Sequence, residues 1–378
     1  MNNFYHHIPT EFVFGKETEN KTGELLKKHG ATKVLLHYGG GSVVASGLLE
    51  RVKKTIDISF VELGGVQPNP VDMLVYKGVE LCKAENIDFI LAIGGGSVID
   101  SAKAIAMGAR YDGDFWDFFS GAKPHSAIPV GTVLTIPAAG SEGSNATVIT
   151  KTSVPPIKKA MGSDYLKPVF SIMNPELTYT LPVYQTACGV ADMMSHVFER
   201  YFTKSSGNGL TDELCEAVLR TIIRYAPVAI KEPNNYEARA NIMWAGTIAH
   251  DGSLGRGRIE DWGTHMLEHE LSALYDVAHG AGLAVMFPAW MDYIKNENIA
   301  LFERFAKNVW GKNTADEGIQ ALRDFWNSLG LQATFDELGA KKEDIPMLVA
   351  MLEKNTGGSF SRFKQMGMED AERIYKKA

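Results

Sequence analysis

The stretch FILAIGGGSVIDSAKAIA, from Phe89 to Ala106, constrains the fold more than any other part of the chain. Five consecutive apolar residues running into three glycines read as a strand buried on both faces, the kind found where helices cover a parallel sheet. Units of the same kind surround it. VLLHY from Val34 reads as a strand, SGLLERVKKT as a helix and ISFVEL from Ile58 as a strand. VDMLVYKGVELCKAE has helical spacing, and VGTVLTIP from Val130 reads as a further strand ending at Pro137. Alternating strands and helices predict a mostly parallel sheet with helices on both faces.

From about Pro182 the texture changes to long amphipathic segments such as ELCEAVLRTIIRYAPVAI, EARANIMWAGTIAH and ALFERFAKNVW. This half is predicted to be all-helical. A chain of 378 residues exceeds one ordinary core, so two domains are expected, an α/β domain over 1–181 and a helical domain over 182–378. With no low-complexity linker, a close interface is expected, and its cleft is the default ligand site.

Charge and cysteine content narrow the function. The net charge of -7 offers no basic stripe for nucleic acid. No apolar run approaches the roughly 20 residues that span a bilayer, and MNNFYHHIPTEF lacks a signal-peptide layout, so a cytoplasmic protein without a membrane partner is expected. Cys82, Cys188 and Cys215 match no CxxC pattern. A metal site here must therefore use nitrogen and oxygen ligands.

Gly94, Gly95, Gly96 and Ser97 lie between a strand and a helix, where free N–H groups and the positive helix end favour a phosphate. The pattern is neither GxGxxG nor a Walker loop, and a tight structural turn would also account for the glycines. Asp100 and Lys103 add polar groups at the same helix end. A second run, Gly39, Gly40, Gly41 and Ser42, follows the first strand. A dinucleotide site usually carries an acid there for the ribose 2′-hydroxyl; its absence leaves room for the 2′-phosphate of NADP.

Among ten histidines, His37 and His250 read as satisfied core residues. Asp192 and His196 share a helix face at i, i+4, as do His265 and His269, and His279 follows just before Gly280. One carboxylate and up to four imidazoles suit Fe(II) or Zn(II), with spacing leaving open which histidine stays outside the ligand set. HMLEH places Glu268 wrongly for an HExxH protease.

GGGSVIDSAK, VQPNP, DMMSH, HMLEH and the AHG after it together resemble the iron-containing (group III) alcohol dehydrogenases, across nearly the whole chain. YDGDFWDFFSG and GSEGSNA look most like the butanol dehydrogenase and NADPH-dependent aldehyde reductase branch. The resemblance implies a dehydroquinate synthase-like architecture, with a dinucleotide-binding α/β domain followed by a helical metal domain. It implies Asp192, His196, His265 and His279 as metal ligands, with His269 near the nicotinamide; as an imidazole, His269 is also the candidate to relay a proton to the alkoxide. It implies Gly94 to Ser97 at the pyrophosphate with Asn69 nearby, and Asp100 and Thr135 among the cofactor contacts. Gly39 stands where NAD-using members carry Asp, and Ser42 and Lys158, the latter next to Lys159, match residues that approach a 2′-phosphate. Pro137-Ala138-Ala139 replaces a common PTT segment, and Asn174 stands where many relatives have Asp.

The implied reaction is hydride transfer between NADP(H) and a primary alcohol or aldehyde such as butanol or butanal, in a homodimer. Trp262, Phe115 and Trp116 are candidate linings of an apolar substrate pocket. The alternatives are a glycerol dehydrogenase-like or dehydroquinate synthase-like enzyme of the same superfamily, or a non-catalytic NADP-binding redox sensor.

Overall fold

The computed structural model describes residues 1–378, which form two compact units: His7–Thr180, and Leu181–Ala378 together with Met1–His6. The first unit is built on a six-stranded parallel sheet. Its strands are β1 (Glu11–Phe14), β2 (Lys33–Gly39), β3 (Ser59–Val66), β4 (Phe89–Gly94), β5 (Val130–Leu134) and, after an antiparallel pair β6 (Ala146–Lys151) and β7 (Ile157–Gly162), β8 (Phe170–Met173). The order across the sheet is β1-β8-β5-β4-β2-β3.

Strand β4 is buried at every position, as its apolar run predicts. On one face, alternate residues Val34, Leu36, Phe89, Leu91 and Ile93 pack against Leu25, Leu26, Leu48, Leu49 and Val52. The helices Asp72–Ala84 and Gly96–Gly108 pack together, and a Cβ at Gly78 would lie 2.3 Å from Ile105 Cδ1.

His37 lies inside this sheet as the core residue expected from sequence, with Nδ1 2.8 Å from the Leu63 carbonyl and Nε2 2.8 Å from Ser101 Oγ. Burial lowers its pKa from 6.5 to about 4. The unfolded chain therefore binds a proton that the folded chain refuses. Stability falls as pH drops from 6.5 to about 4, by about 3 kcal/mol in total, and this loss is complete below the folded value. Urea midpoints measured across that window should decline in the wild type and decline less in His37→Asn.

The second unit contains helices and no strands. The Val183–Tyr201 helix is buried at every residue from Thr186 onward, so it is not the one-sided amphipathic helix that its sequence suggests. Helices Gly209–Lys231, Tyr236–His250 and His279–Ile294 surround it and bury its polar residues along with its apolar ones. Its Phe198, with Phe202, Phe287, Trp290, Phe302, Phe305 and Trp326, belongs to one continuous core. The first residues join this unit through Asn2, whose N–H donates to the Gly257 carbonyl at 2.8 Å. No helix is long and apolar enough to cross a membrane.

Candidate metal centre and nucleotide loops

The loops expected to hold a nucleotide sit at the carboxyl ends of β2 and β4, which are neighbours in the sheet. The chain leaves β2 toward β3 on one side and β4 toward β5 on the other, so the strand order reverses between them. Such a switch point opens a crevice at the carboxyl ends of the strands, where open α/β sheets bind ligands. Gly39–Ser42 and Gly94–Ser97 border it. The second loop runs into the Gly96–Gly108 helix, so the positive end of the helix dipole faces the loop.

Protein packing also demands these glycines. A Cβ at Gly94 would lie 2.5 Å from Val98 Cγ2, and one at Gly96 2.8 Å from the Ala139 methyl. At Gly40 and Gly41 a Cβ would meet nothing within 4 Å. The tight-turn reading therefore accounts for the β4 loop in part, but not for these two glycines of the β2 loop.

Asn69 adopts a left-handed conformation at φ 51, and its Oδ1 accepts from Lys158 Nζ at 3.0 Å. The strand alternation of β7 puts Lys158 and Lys159 on opposite faces, and Lys158 is the buried one. Two residues 89 positions apart thus meet because the PNP turn is fastened to the β6–β7 pair, with Thr150 N donating to the Pro70 carbonyl at 2.8 Å. Thr135 follows β5, and its N–H donates to the Gly94 carbonyl at 3.0 Å.

Asp100 is half-buried, and its carboxylate accepts from Ser141 Oγ at 2.6 Å and Val148 N at 2.9 Å. Lys103, fully buried, donates to the carbonyls of Ser141, Ser144 and Ala146 at 2.7 to 2.9 Å. Burial brings its pKa down to about 8, against the pull of Asp100 and Glu142. The pair latches the GSEGSNA segment to the helix behind the β4 loop. Asn174 is a helix cap: its Oδ1 accepts from Glu176 N at 3.0 Å. Phe115 and Trp116 are core residues, with Trp116 stacked on Phe119 at 4.8 Å.

In the helical unit, the ligand atoms of Asp192, His265 and His279 all lie within 4.8 Å of one another. Three helices bring them together. Gly280 makes the approach possible, because a Cβ there would lie 1.9 Å from the Cys188 carbonyl oxygen, one turn before Asp192. His196 stands beside this trio: its Nδ1 is 3.6 Å from Asp192 Oδ1 and its ring 4.9 Å from that of His265. His269 has its ring 5.6 Å from His279, and with Glu268 and His279 it forms a second set of donor atoms within 4.8 Å.

The donor chemistry fits a divalent ion. Bonds of about 2.1 Å place ligand atoms at most about 4.2 Å apart, and His279 Nε2 lies 3.8 Å from Asp192 Oδ1; neutral imidazole with one carboxylate suits zinc or ferrous iron. His196 is held well below the ordinary histidine range by burial, and then by the positive neighbours His250, His265, Arg200 and His279. It is therefore the neutral form that ligates. His196 Nδ1 is a buried atom without a hydrogen-bond partner, an arrangement that costs free energy unless something answers it.

Three neighbours were not identifiable from spacing. Glu199 is fully buried, and its Oε1 lies 2.8 Å from His265 Nδ1 and accepts from His265 N at 3.0 Å, while Oε2 accepts from Trp262 N at 2.7 Å. Burial pushes its pKa up to about 8, against those donors and Arg200. Glu268 hydrogen-bonds His279 Nδ1 and Ser272 Oγ. His250, read from sequence as core, has its ring 4.1 Å from His196 and its Nδ1 3.2 Å from Arg200 Nη2. Trp262 lies against the group, 5.0 Å from the His265 ring.

A metal-ligand cluster in a helical unit and glycine loops at the switch point of a parallel sheet are the components of a metal-dependent dinucleotide oxidoreductase. Residues 9–175 match the family described as iron-containing alcohol dehydrogenase, and residues 186–378 match its C-terminal region. The NADH-dependent butanol dehydrogenase A of Clostridium acetobutylicum is 41% identical over 390 residues, with 100% of both chains covered. The NADPH-dependent aldehyde reductase YqhD of Escherichia coli is 37% identical over 389 residues, again with 100% of both covered. A crystal structure of NADH-dependent butanol dehydrogenase A from Thermotoga maritima superposes with a TM-score of 0.97 at 41% identity, covering 100% of this chain and 99% of that one.

The chain belongs to the iron-containing alcohol dehydrogenase family. It is a metal-dependent oxidoreductase that acts on alcohols or aldehydes with NAD(P)H.

Proposed function

We propose that the protein interconverts a short primary alcohol and its aldehyde, such as butanol and butanal, with NADP(H) preferred over NAD(H) and one Fe(II) or Zn(II) held by Asp192, His196, His265 and His279. The convergence of Asp192, His265 and His279 carries this reading. The names of similar proteins support the substrate class and point both ways on the cofactor. Preference for NADP rests on β2 ending in Gly39 without an acid, and on Lys158 lying beside Asn69. Gly39 to Ser42, Asn69, Gly94 to Ser97, Thr135 and Lys158 are the proposed cofactor contacts. Asp100 acts on the cofactor through the segment that it latches. A cytoplasmic homodimer belongs to the same proposal, and light scattering reads its mass.

When bound, a divalent ion supplies Lewis acidity toward a carbonyl oxygen, and the nicotinamide supplies the hydride. The chain's residues hold these groups in place and manage the proton. Asp192 is the one anionic ligand, and it lowers the net charge of the loaded site. His269, its ring 5.6 Å from that of His279, is the imidazole placed to relay a proton to the product alkoxide.

The test follows NADPH and NADH oxidation with butanal, on metal-free protein and after adding Fe(II) or Zn(II), for the wild type and His269→Phe. Metal-dependent turnover favouring NADPH is expected, with slower turnover and a lost pH inflection in the variant. Preference for NADH would overturn the cofactor reading alone, and an unchanged pH profile in His269→Phe would overturn the relay.

A further inference from the structure

We infer that Glu199 and Glu268 are positioning residues that aim His265 and His279 at the metal and raise their strength as donors. The inference rests on the proposed ligand set. Each histidine has its Nδ1 against a buried glutamate, Glu199 for His265 and Glu268 for His279. A ring whose Nδ1–H donates to a carboxylate keeps the other nitrogen, Nε2, deprotonated and available as a ligand. The carboxylate also fixes the ring plane and makes that nitrogen more basic.

Both glutamates are themselves held. Glu199 is bonded by two backbone N–H groups at the start of the Gly263–Tyr275 helix, so the same residue that aims His265 also caps the helix carrying it. Glu268 is bonded by Ser272 Oγ, and a Cβ on Gly282 would lie 2.6 Å from its Oε1, so helix packing confines it too. His196 is built differently: it packs against His250 and His265, and the carboxylate nearest its Nδ1 is the proposed ligand Asp192 at 3.6 Å, beyond hydrogen-bond distance. The carboxylate partner is therefore a feature of two ligands, each coming from a different helix than its partner.

The readout is metal affinity, not turnover. Full-length wild type, Glu199→Gln and Glu268→Gln are stripped of metal, and Zn(II) affinity is measured by competition with a chromophoric chelator. Gln keeps the size of the side chain and removes the charge. Each variant is expected to bind Zn(II) roughly 10 to 100-fold more weakly. Thermal melts of the metal-free proteins separate this from a structural effect. Glu268→Gln, whose residue caps no helix, is expected to melt with the wild type. Unchanged Zn(II) affinity in Glu268→Gln would overturn the inference for His279, and unchanged affinity in Glu199→Gln would do so for His265.

Cobalt substitution distinguishes a partner from a ligand. Co(II)-loaded Glu268→Gln should keep the band intensities of the wild type; a collapse of those bands would make Glu268 a ligand and overturn its positioning role. If the wild type itself binds no Zn(II), the ligand set fails, and the positioning inference fails with it.

Discussion

Asp192→Asn should purify folded, hold far less than one metal per chain and lose at least about 100-fold in turnover, because Lewis-acid stabilisation of the developing alkoxide is worth several kcal/mol. Asparagine keeps the shape of the side chain and loses the single negative charge among the four proposed ligands. The metal-free variant should melt close to the metal-free wild type, since asparagine fills the same buried space. Metal analysis beside a melt of each metal-free protein checks both halves. Full metal content in the variant would remove Asp192 from the ligand set, and a collapsed fold would make its role structural.

Gly39→Asp should reverse the cofactor preference. A Cβ at this position meets Val66 O at 3.6 Å and Val98 Cγ2 at 3.8 Å, which are ordinary contacts, and the backbone is not in the left-handed region. The new carboxylate would face the 2′-phosphate of NADPH. Two unit charges about 4 Å apart cost about 4 kcal/mol at an effective dielectric near 20, and solvent at this half-exposed loop leaves about 2 kcal/mol, or roughly 30-fold. With NADH the same carboxylate can accept from the ribose 2′-hydroxyl, so that activity should hold or rise. The ratio of kcat/KM for NADPH to that for NADH is the measurement. An unchanged ratio would mean that the cofactor ribose lies elsewhere.

Much of the fold was legible in the chain. The runs at Val34, Phe89 and Val130 became β2, β4 and β5, because a buried parallel strand must be apolar on both faces, and the run at Ile58 became the partly exposed edge strand β3. Strands β1, β6, β7 and β8 were not legible. IKKAMG in β7 carries two consecutive lysines, and its pairing with β6 is decided by the neighbouring strand rather than by its own pattern. Likewise, β1 and β8 have four residues each, too short to show a period.

The site divides in the same way. Spacing sufficed to single out Asp192 with His196 and His265 with His269, because a helix converts a separation of four into a shared face. It did not single out Glu199, although Glu199 stands seven residues from Asp192 and so shares that face as well. A glutamate on a helix usually points to water, and only the packing of the surrounding helices shows this one to be buried. Glu268 escaped for the same reason, whereas His250 was read as core and only its contact with His196 was not evident. The pairing of Lys158 with Asn69 depends on a strand register that no local pattern encodes. Local sequence thus determined which residue types and periods were available for metal and nucleotide. Tertiary structure alone decided which of them meet, since helices close enough to share ligands require backbone contact, and here that contact exists because Gly280 has no side chain.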